Sequence, residues 1–293
     1  MATLESLRSS IESVDQMLSV VKTMKALAAV NIRQFEGAVE SLAEYNETIA
    51  QGLQVLLQDQ PPVELTEPLA GQRLGIIVFG SEQGLAGQFN ERVAAYTIER
   101  TQNFDDDWNH RQVMVVGERV TGHLVDGGLH VTQGLDAPNS LDGIRQVGRN
   151  ILLRIDSWRQ ERDVERIILF YNTPTSSASY QPRSRWLLPV NPRWLRSLQN
   201  NRWESRARPI YTIPREQLFS QLIRQYFFVT LYRALAESLA SENASRLASM
   251  QAAERNIEDR LGELEGQYQH QRKRAITEEI LDIASGFEAL TNE

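Results

Sequence analysis

"LRSSIESVDQMLSVVKTMKALAAVNIRQFEGAVESLAEY", residues 7 to 45, contains no proline, and Gly37 is its only glycine. Its apolar residues step by three and four. Carried outward in both directions, the series is Leu4, Leu7, Ile11, Val14, Leu18, Val21, Lys25, Ala28, Ile32, Phe35, Val39, Leu42, Asn46, Ile49, Leu53 and Leu56. Only Lys25 and Asn46 interrupt it. A period of 3.5 held over about seven heptads is a coiled-coil seam, narrower than the stripe of an ordinary globular helix. Beyond Gly37 the next glycine is Gly52, and the first proline is Pro61. At 1.5 Å per residue, residues 3 to 58 would extend roughly 80 Å.

The other end of the chain repeats the pattern. Pro214 suits a first helical turn. From there to Ser285 no further proline occurs, and glycine appears only at Gly262 and Gly266. Leu218, Leu222, Val229, Tyr232, Ala236, Leu239, Leu247, Met250, Ile257, Leu261, Leu264 and Tyr268 mark one face. Ile276, Ile280, Ile283, Phe287 and Leu290 then restart a three-four rhythm. This helix would reach about 100 Å. An apolar seam needs a partner. Two seams of matching length predict that the ends of the chain pair with each other; homodimerisation through each helix separately is the alternative. Polar seam residues such as Lys25, Asn46, Asn243 and Arg246 fix register in coiled coils, and they are also places for a partner to touch.

The middle of the chain changes character. "LGIIVF" (74–79), "QVMVV" (112–116) and "RIILFY" (166–171) are short apolar runs that predict buried strands. Helical patterns separate them: one after Asn90, a short one in "GERVTGHLVDGG", and a clear one through Leu141, Ile144, Val147, Ile151, Ile155 and Trp158. Strands alternating with helices predict a parallel sheet, and "SRWLLPV" (184–190) would add an edge strand. The organisation expected is therefore an N-terminal coiled-coil helix over 1–60, an inserted α/β domain over 70–210, and a C-terminal coiled-coil helix over 212–293.

Composition narrows the function. The chain has 293 residues, 41% hydrophobic and 24% charged, with a net charge of −7, so as a whole it is not built to coat nucleic acid. It has no cysteine, which removes disulfides, thiolate metal sites and cysteine nucleophiles. The N-terminus lacks an apolar signal-peptide core, and no apolar run approaches the roughly 20 residues that span a bilayer. Any membrane link is expected to go through another protein. No two of His110, His123, His130 and His270 stand three or four residues apart, which argues against a helical metal site. There is no Gly-x-Ser-x-Gly elbow. Asp105, Asp106 and Asp107 suit a solvated loop before Trp108. Residues 183–208 carry Arg183, Arg185, Arg193, Arg196, Arg202, Arg206 and Arg208 among Trp186, Trp194 and Trp203. That composition fits a single-strand nucleic-acid binder or, as the favoured alternative, a surface loop packed down by its tryptophans.

"GSEQGLAGQFN" (80–90) places Gly80, Gly84 and Gly87 directly after the first strand. A dinucleotide fingerprint needs G-x-G-x-x-G, and a phosphate loop needs G-K-[ST]; neither is present. The chemistry predicts a tight turn used for contact, with no catalytic residue and no cofactor.

The same stretch resembles the "GSDRGLCGGFN" signature of the gamma subunit of F-type ATP synthases. "VVKTMKALAAVNIRQ" (20–34) resembles that family's "ITKAMKMVAAAKLRR", "LASENASRLASMQAAERN" (239–256) its "LASEHAARMVAMKAATDN", and "RAITEEILDIASGFEAL" (274–290) its "AAITQEILEIVGGAAAL". The resemblance runs end to end. It implies an antiparallel coiled coil of the two termini with an inserted Rossmann-like α/β domain, acting as a rotor shaft. The coil would stand within a ring of alpha and beta subunits, with the foot on epsilon and the membrane c ring, at the cytoplasmic face and peripheral to the membrane. Proton or sodium flow would turn it. It also implies rotor contacts to alpha and beta at Lys22, Met24, Lys25, Arg33, Arg272, Lys273, Arg274, Thr277 and Glu279, and a signature loop, carrying Gly80, Glu82, Gly84, Leu85, Gly87 and Asn90, that helps the shaft meet its neighbours. If the basic residues of the two helices lie side by side, they form a positive collar at one height. Ala86, Gln88, Val20, Val21, Asn31, Ile32 and "YQHQRK" (268–273) depart from the usual pattern and are similar to the alternate, N-type branch, where sodium is often the expected ion. The cysteine insertion of chloroplast gamma is absent, so thiol control is not expected. A nucleotide-dependent α/β enzyme and a coiled-coil single-strand binder are the competing readings; tight nucleotide binding would favour the first, steeply salt-dependent strand binding the second.

Overall fold

The computed structural model describes residues 3–58, 60–61, 73–102, 104, 111–176, 179–203, 207 and 209–291, with side chains as far as residue 284. Asp105–Asp107, Trp108, His110, Arg206, Arg208 and the side chains of Phe287 and Leu290 lie outside the described residues. Six α-helices and five strands occur among them: α1 (Leu4–Leu57), β1 (Arg73–Phe79), α2 (Phe89–Gln102), β2 (Gln112–Val116), α3 (Thr121–Asp126), β3 (Gln133–Leu135), α4 (Leu141–Arg162), β4 (Val164–Ser176), β5 (Ser179–Leu188), α5 (Pro192–Asn200) and α6 (Arg215–Thr291). The chain divides into two compact units, one of Met1–Leu27 with Leu247–Glu293 and one of Ala28–Arg246.

In the first unit the two terminal segments pair antiparallel. Lys22 meets Glu258 at 3.7 Å and Lys25 meets Glu254 at 2.5 Å. Leu7, Met250 and Leu264 are buried, and Leu4, Ile11, Val14, Leu18, Val21, Ile257, Leu261 and Tyr268 are half-buried. Lys25 breaks the apolar stripe but finds its counter-charge across the seam, which ties one register to the others' disadvantage. The rhythm at Ile276, Ile280 and Ile283 does not continue the seam: these residues are 47%, 60% and 68% exposed, while Gln271 and Ala275 are the half-buried ones. With residue 254 opposite 25 and 258 opposite 22, α6 has reached the first residue of α1 by about position 276, so among the described residues α1 offers the later isoleucines no further seam.

The second unit is built on a five-stranded sheet of order β3-β2-β1-β4-β5. β1 runs parallel to β2 and β4, and β2 parallel to β3; β5 closes the edge antiparallel to β4. Both faces of the sheet are covered, which is why β1 is apolar at nearly every position rather than alternating. Ile77, Phe79, Met114, Ile167, Leu169 and Tyr171 pack toward α4 and the α1 and α6 segments of this unit. Leu74, Ile76, Val78, Val113, Val115 and Phe170 pack toward α2 and α3. On α1, Ala28, Ile32, Phe35, Ile49, Leu53 and Leu56 are all buried. α6 runs antiparallel to it, as Asn31 Nδ2 donates to Asn243 Oδ1 at 3.3 Å and Tyr45 Oη to Gln225 Oε1 at 3.2 Å.

As far as Asn200 the arginine and tryptophan stretch is mostly regular structure, not a loop; Arg202 and Trp203 follow it in irregular chain. Residues 179–188 are the edge strand and 192–200 are α5, capped by the Asn191 side chain, which accepts from Arg193 N and Trp194 N, with Pro192 in the first turn. Trp194 stacks on Tyr226 of α6 with ring centroids 4.7 Å apart. Trp186 packs on Phe104 and lies under the Arg166 guanidinium. Gln199 Nε2 donates to the carbonyls of Leu57 and Gln60 at the end of α1. Trp186 and Trp194 thus hold an edge strand and a helix in place. β3 has only three residues and no distinct apolar run, and sequence reasoning did not find it.

Candidate functional site

The glycine-rich loop leaves the carboxyl end of β1, where an open parallel sheet presents ligand sites. Here the first two backbone donors of the loop, at Gly80 and Ser81, are already bonded within the protein. Gly80 N donates to Val116 O at 2.8 Å, and Ser81 N donates to Asn90 Oδ1 at 2.9 Å. Asn90 Nδ2 donates in turn to Ser81 Oγ at 2.8 Å, and Ser81 Oγ to Gln83 O at 2.9 Å. Asn90, at the start of α2, therefore ties the beginning of the loop to the helix that follows it. A Cβ at Gly80 would stand 2.5 Å from Val120 Cβ, so only glycine lets β1 pass that close. Gly87 turns the chain at φ 54° and Leu85 at φ 63°; Gly84 meets nothing within 4 Å of a built Cβ and is needed for neither reason.

What the turn grips is α6. Ser245 Oγ donates to Ala86 O at 2.6 Å, and Arg246 Nη2 reaches Gly84 O at 3.4 Å. Ala86 is buried beneath the turn and Leu85 is exposed above it. Glu82 Oε2 accepts from Ala137 N at 3.0 Å, tying the loop to the connection before α4. Arg246 also bonds Glu242 Oε1 at 2.7 Å. Burial pushes the Glu242 carboxyl above the ordinary carboxylate range, Arg246 opposes the rise, and the negative charge of Glu82 adds to it. A second polar link joins sheet to helix: Thr173 Oγ1 donates to Glu237 Oε2 at 3.0 Å, and Arg233 holds the other oxygen at 2.6 Å. Sequence reasoning had Asn243 and Arg246 as polar interruptions of the seam but missed Ser245, Glu242 and Glu237. The Glu242 and Arg246 spacing of four was the available signal; its burial depends on a loop far away in sequence.

The basic residues do not come together as one collar. In the first unit Lys22 and Lys25 meet Glu258 and Glu254, while Arg272, Lys273 and Arg274 lie roughly 20–30 Å further along α6. All three are exposed, with Glu278 4.0 Å from Arg274. Thr277 donates to Lys273 O at 2.9 Å, and Glu279 is exposed. Arg33 is exposed on α1 in the second unit. Met24 is half-buried, between a seam and a second apolar row in which Met17, Val20 and Leu27 are each 58% exposed. Among the described residues no group of three histidine, aspartate or glutamate side chains could hold a metal ion, and no helix is long and apolar enough to cross a membrane.

The chain matches the family model for ATP synthase (ATP-synt) over residues 3–290. It is 28% identical to the ATP synthase gamma chain of Nostoc punctiforme, over 99% of this chain and 100% of the relative. Against the gamma chain of Nitrosospira multiformis the identity is 26%, again over 99% and 100%. Among solved structures, a chain of the Euglena gracilis mitochondrial ATP synthase rotor in rotational state 1 has a similar fold, with a TM-score of 0.63 and 15% identity over 93% of this chain and 98% of that one. A chain from the OSCP/F1/c-ring assembly of the same organism in rotational state 3 gives a TM-score of 0.66 and 16% identity over 98% and 94%.

Proposed function

The chain belongs to the ATP synthase family, its similar relatives being gamma chains, and from that premise we propose that it is the central rotor shaft of a rotary ATP synthase. It is a non-catalytic subunit. Ion flow through a membrane c ring turns it, and its asymmetric coil drives the alpha and beta catalytic sites through their conformational cycle. Epsilon and the c ring hold its foot, at the cytoplasmic face of the membrane. In this reading residues 1–60 and 212–293 are the shaft and 70–210 the inserted foot domain.

The observation that carries the proposal is the uncovered apolar row Met17, Val20 and Leu27 beside a complete seam. A helix that has already buried one stripe and shows a second at helical spacing needs another protein to cover it. Arg272, Lys273, Arg274, Thr277 and Glu279 supply exposed polar contacts on the same unit, and Lys22 and Arg33 do so on α1. Lys25 acts instead as a register pin through Glu254. The nucleotide-enzyme alternative is not favoured: the similar relatives are gamma chains, neither nucleotide fingerprint is present, and the Gly80 and Ser81 backbone donors are bonded to Val116 and Asn90.

Purification at native expression levels tests the reading. Alpha and beta ATPase subunits come down with the chain if it is the shaft; recovery of the chain without them would reject it. Charge removal at Arg272, Lys273 and Arg274 together is expected to change the ATP hydrolysis rate and its coupling to ion movement while the complex still assembles. Unchanged rate and coupling at low and high salt would reduce those residues to solvated helix charges, worth about 0–1 kcal/mol each.

A further inference from the structure

A cleft of about 180 Å³ lies between the glycine loop, α1 and α6 in the second unit. Three charged side chains line it: Glu82 from the loop, and Glu242 and Arg246 from α6. The wall from α1 carries Asn31, and the wall from the connection before α4 carries Asn139, both neutral. One guanidinium therefore faces two carboxylates. It bonds Glu242 at 2.7 Å but reaches the loop only at Gly84 O, at 3.4 Å, long for a charge-assisted hydrogen bond. Its Nε is buried and has no hydrogen-bond partner.

We propose that Arg246 is a two-position latch set by a proton on Glu242. With Glu242 ionised, the pair on α6 is neutral overall and the arginine stays on its own helix. With Glu242 protonated, α6 presents an uncompensated positive charge to a loop whose one charge in the cleft is the carboxylate of Glu82. Arg246 then turns to Glu82 and clamps the loop onto the helix. The pair interaction is strong because the cleft walls exclude most of the water that would screen it. Burial of Glu242 and the facing charge of Glu82 both favour proton uptake, against the pull of Arg246. The loop is therefore clamped below the raised pKa of Glu242 and looser above it. This device is independent of the rotor assignment and is testable on the isolated chain.

The absence of cysteine makes the test clean. Ala86→Cys places one thiol under the loop, at a position 3% exposed, so it reacts only when the loop lifts. The probe is dithiodipyridine, which labels thiols at acid pH, with each rate divided by that of the same protein in denaturant. On the Ala86→Cys background, labelling is expected to slow by about threefold or more as pH falls from about 8 to about 5, the effect of one partly screened ion pair. Glu242→Gln, which mimics the protonated state, is expected to label slowly across the whole range. Glu82→Gln leaves the Glu242–Arg246 pair intact and is expected to flatten the pH dependence, so it decides the matter even if Glu242→Gln folds poorly. Glu242→Gln labelling as fast as its parent at about pH 8, or Glu82→Gln keeping the full slope, would overturn the latch.

Discussion

At the scale of single residues, Asn90 shows how a loop with the look of a phosphate site becomes a structural joint. Its amide accepts from Ser81 N and donates to Ser81 Oγ. Asn90→Ala leaves the Ser81 N–H without an acceptor in a buried position, and is expected to lower stability by about 1–3 kcal/mol, measured by urea unfolding. A variant of unchanged stability would mean that water substitutes for the amide. Tyr171 offers a second residue-scale test. Burial raises its phenol pKa, the nearby Glu237 carboxylate adds to the rise, and the surrounding arginines oppose it. A raised folded pKa means that the neutral phenol's contribution is complete below the unfolded value of about 10 and is lost as pH climbs from there through the folded value. Tyr171→Phe should therefore flatten part of the alkaline stability loss, followed by circular dichroism above about pH 9. The glycines were legible as a turn because they follow a strand and both nucleotide fingerprints are missing from the stretch. The partners of that turn were not, since Ser245 and Arg246 approach it only through tertiary packing.

At the scale of elements, the heptad seam made α1 and α6 legible almost residue by residue, because a 3.5-residue period is a local property of the chain. Phe35 is 1% exposed on that seam and Val30 is 63% exposed off it. Phe35→Ala is expected to cost about 3–5 kcal/mol, whereas Val30→Ala in the isolated chain should stay within about 0.5 kcal/mol; thermal melts of the two variants separate the cases. Equal losses would mean that the buried stripe had been misassigned. The overreach at Ile276, Ile280 and Ile283 has a physical cause. Periodicity announces a stripe but does not say how far the partner helix extends, and α1 starts at Leu4. α5 escaped notice for the opposite reason. Its arginines and tryptophans dominated the composition, although Asn191 followed by Pro192 is a helix-start signal that could have been used.

At the scale of the whole molecule, the α/β alternation between two long helices and the edge strand at 184–190 were visible in the order of patterns along the chain, while the antiparallel direction of that strand, β5, and the short β3 depended on pairings that sequence does not print. A shaft without a nucleotide site of its own should show no binding of ATP, ADP or NAD tighter than about millimolar, near −4 kcal/mol, by calorimetry; a micromolar site would reopen the enzymatic alternative. The division of the chain also bears on its birth. Met1–Leu27 and Leu247–Glu293 form one unit, so the earlier of these two segments must wait for the later one to be made. At about 5–20 residues per second, translation of what lies between takes roughly 10–40 s. Throughout that interval Leu7, Val14, Leu18 and Val21 have no mate, and the nascent chain carries a ready-made greasy helix. Chaperone capture of arrested nascent chains should therefore peak for chains halted before residue 247 and fall once the segment beyond it has emerged.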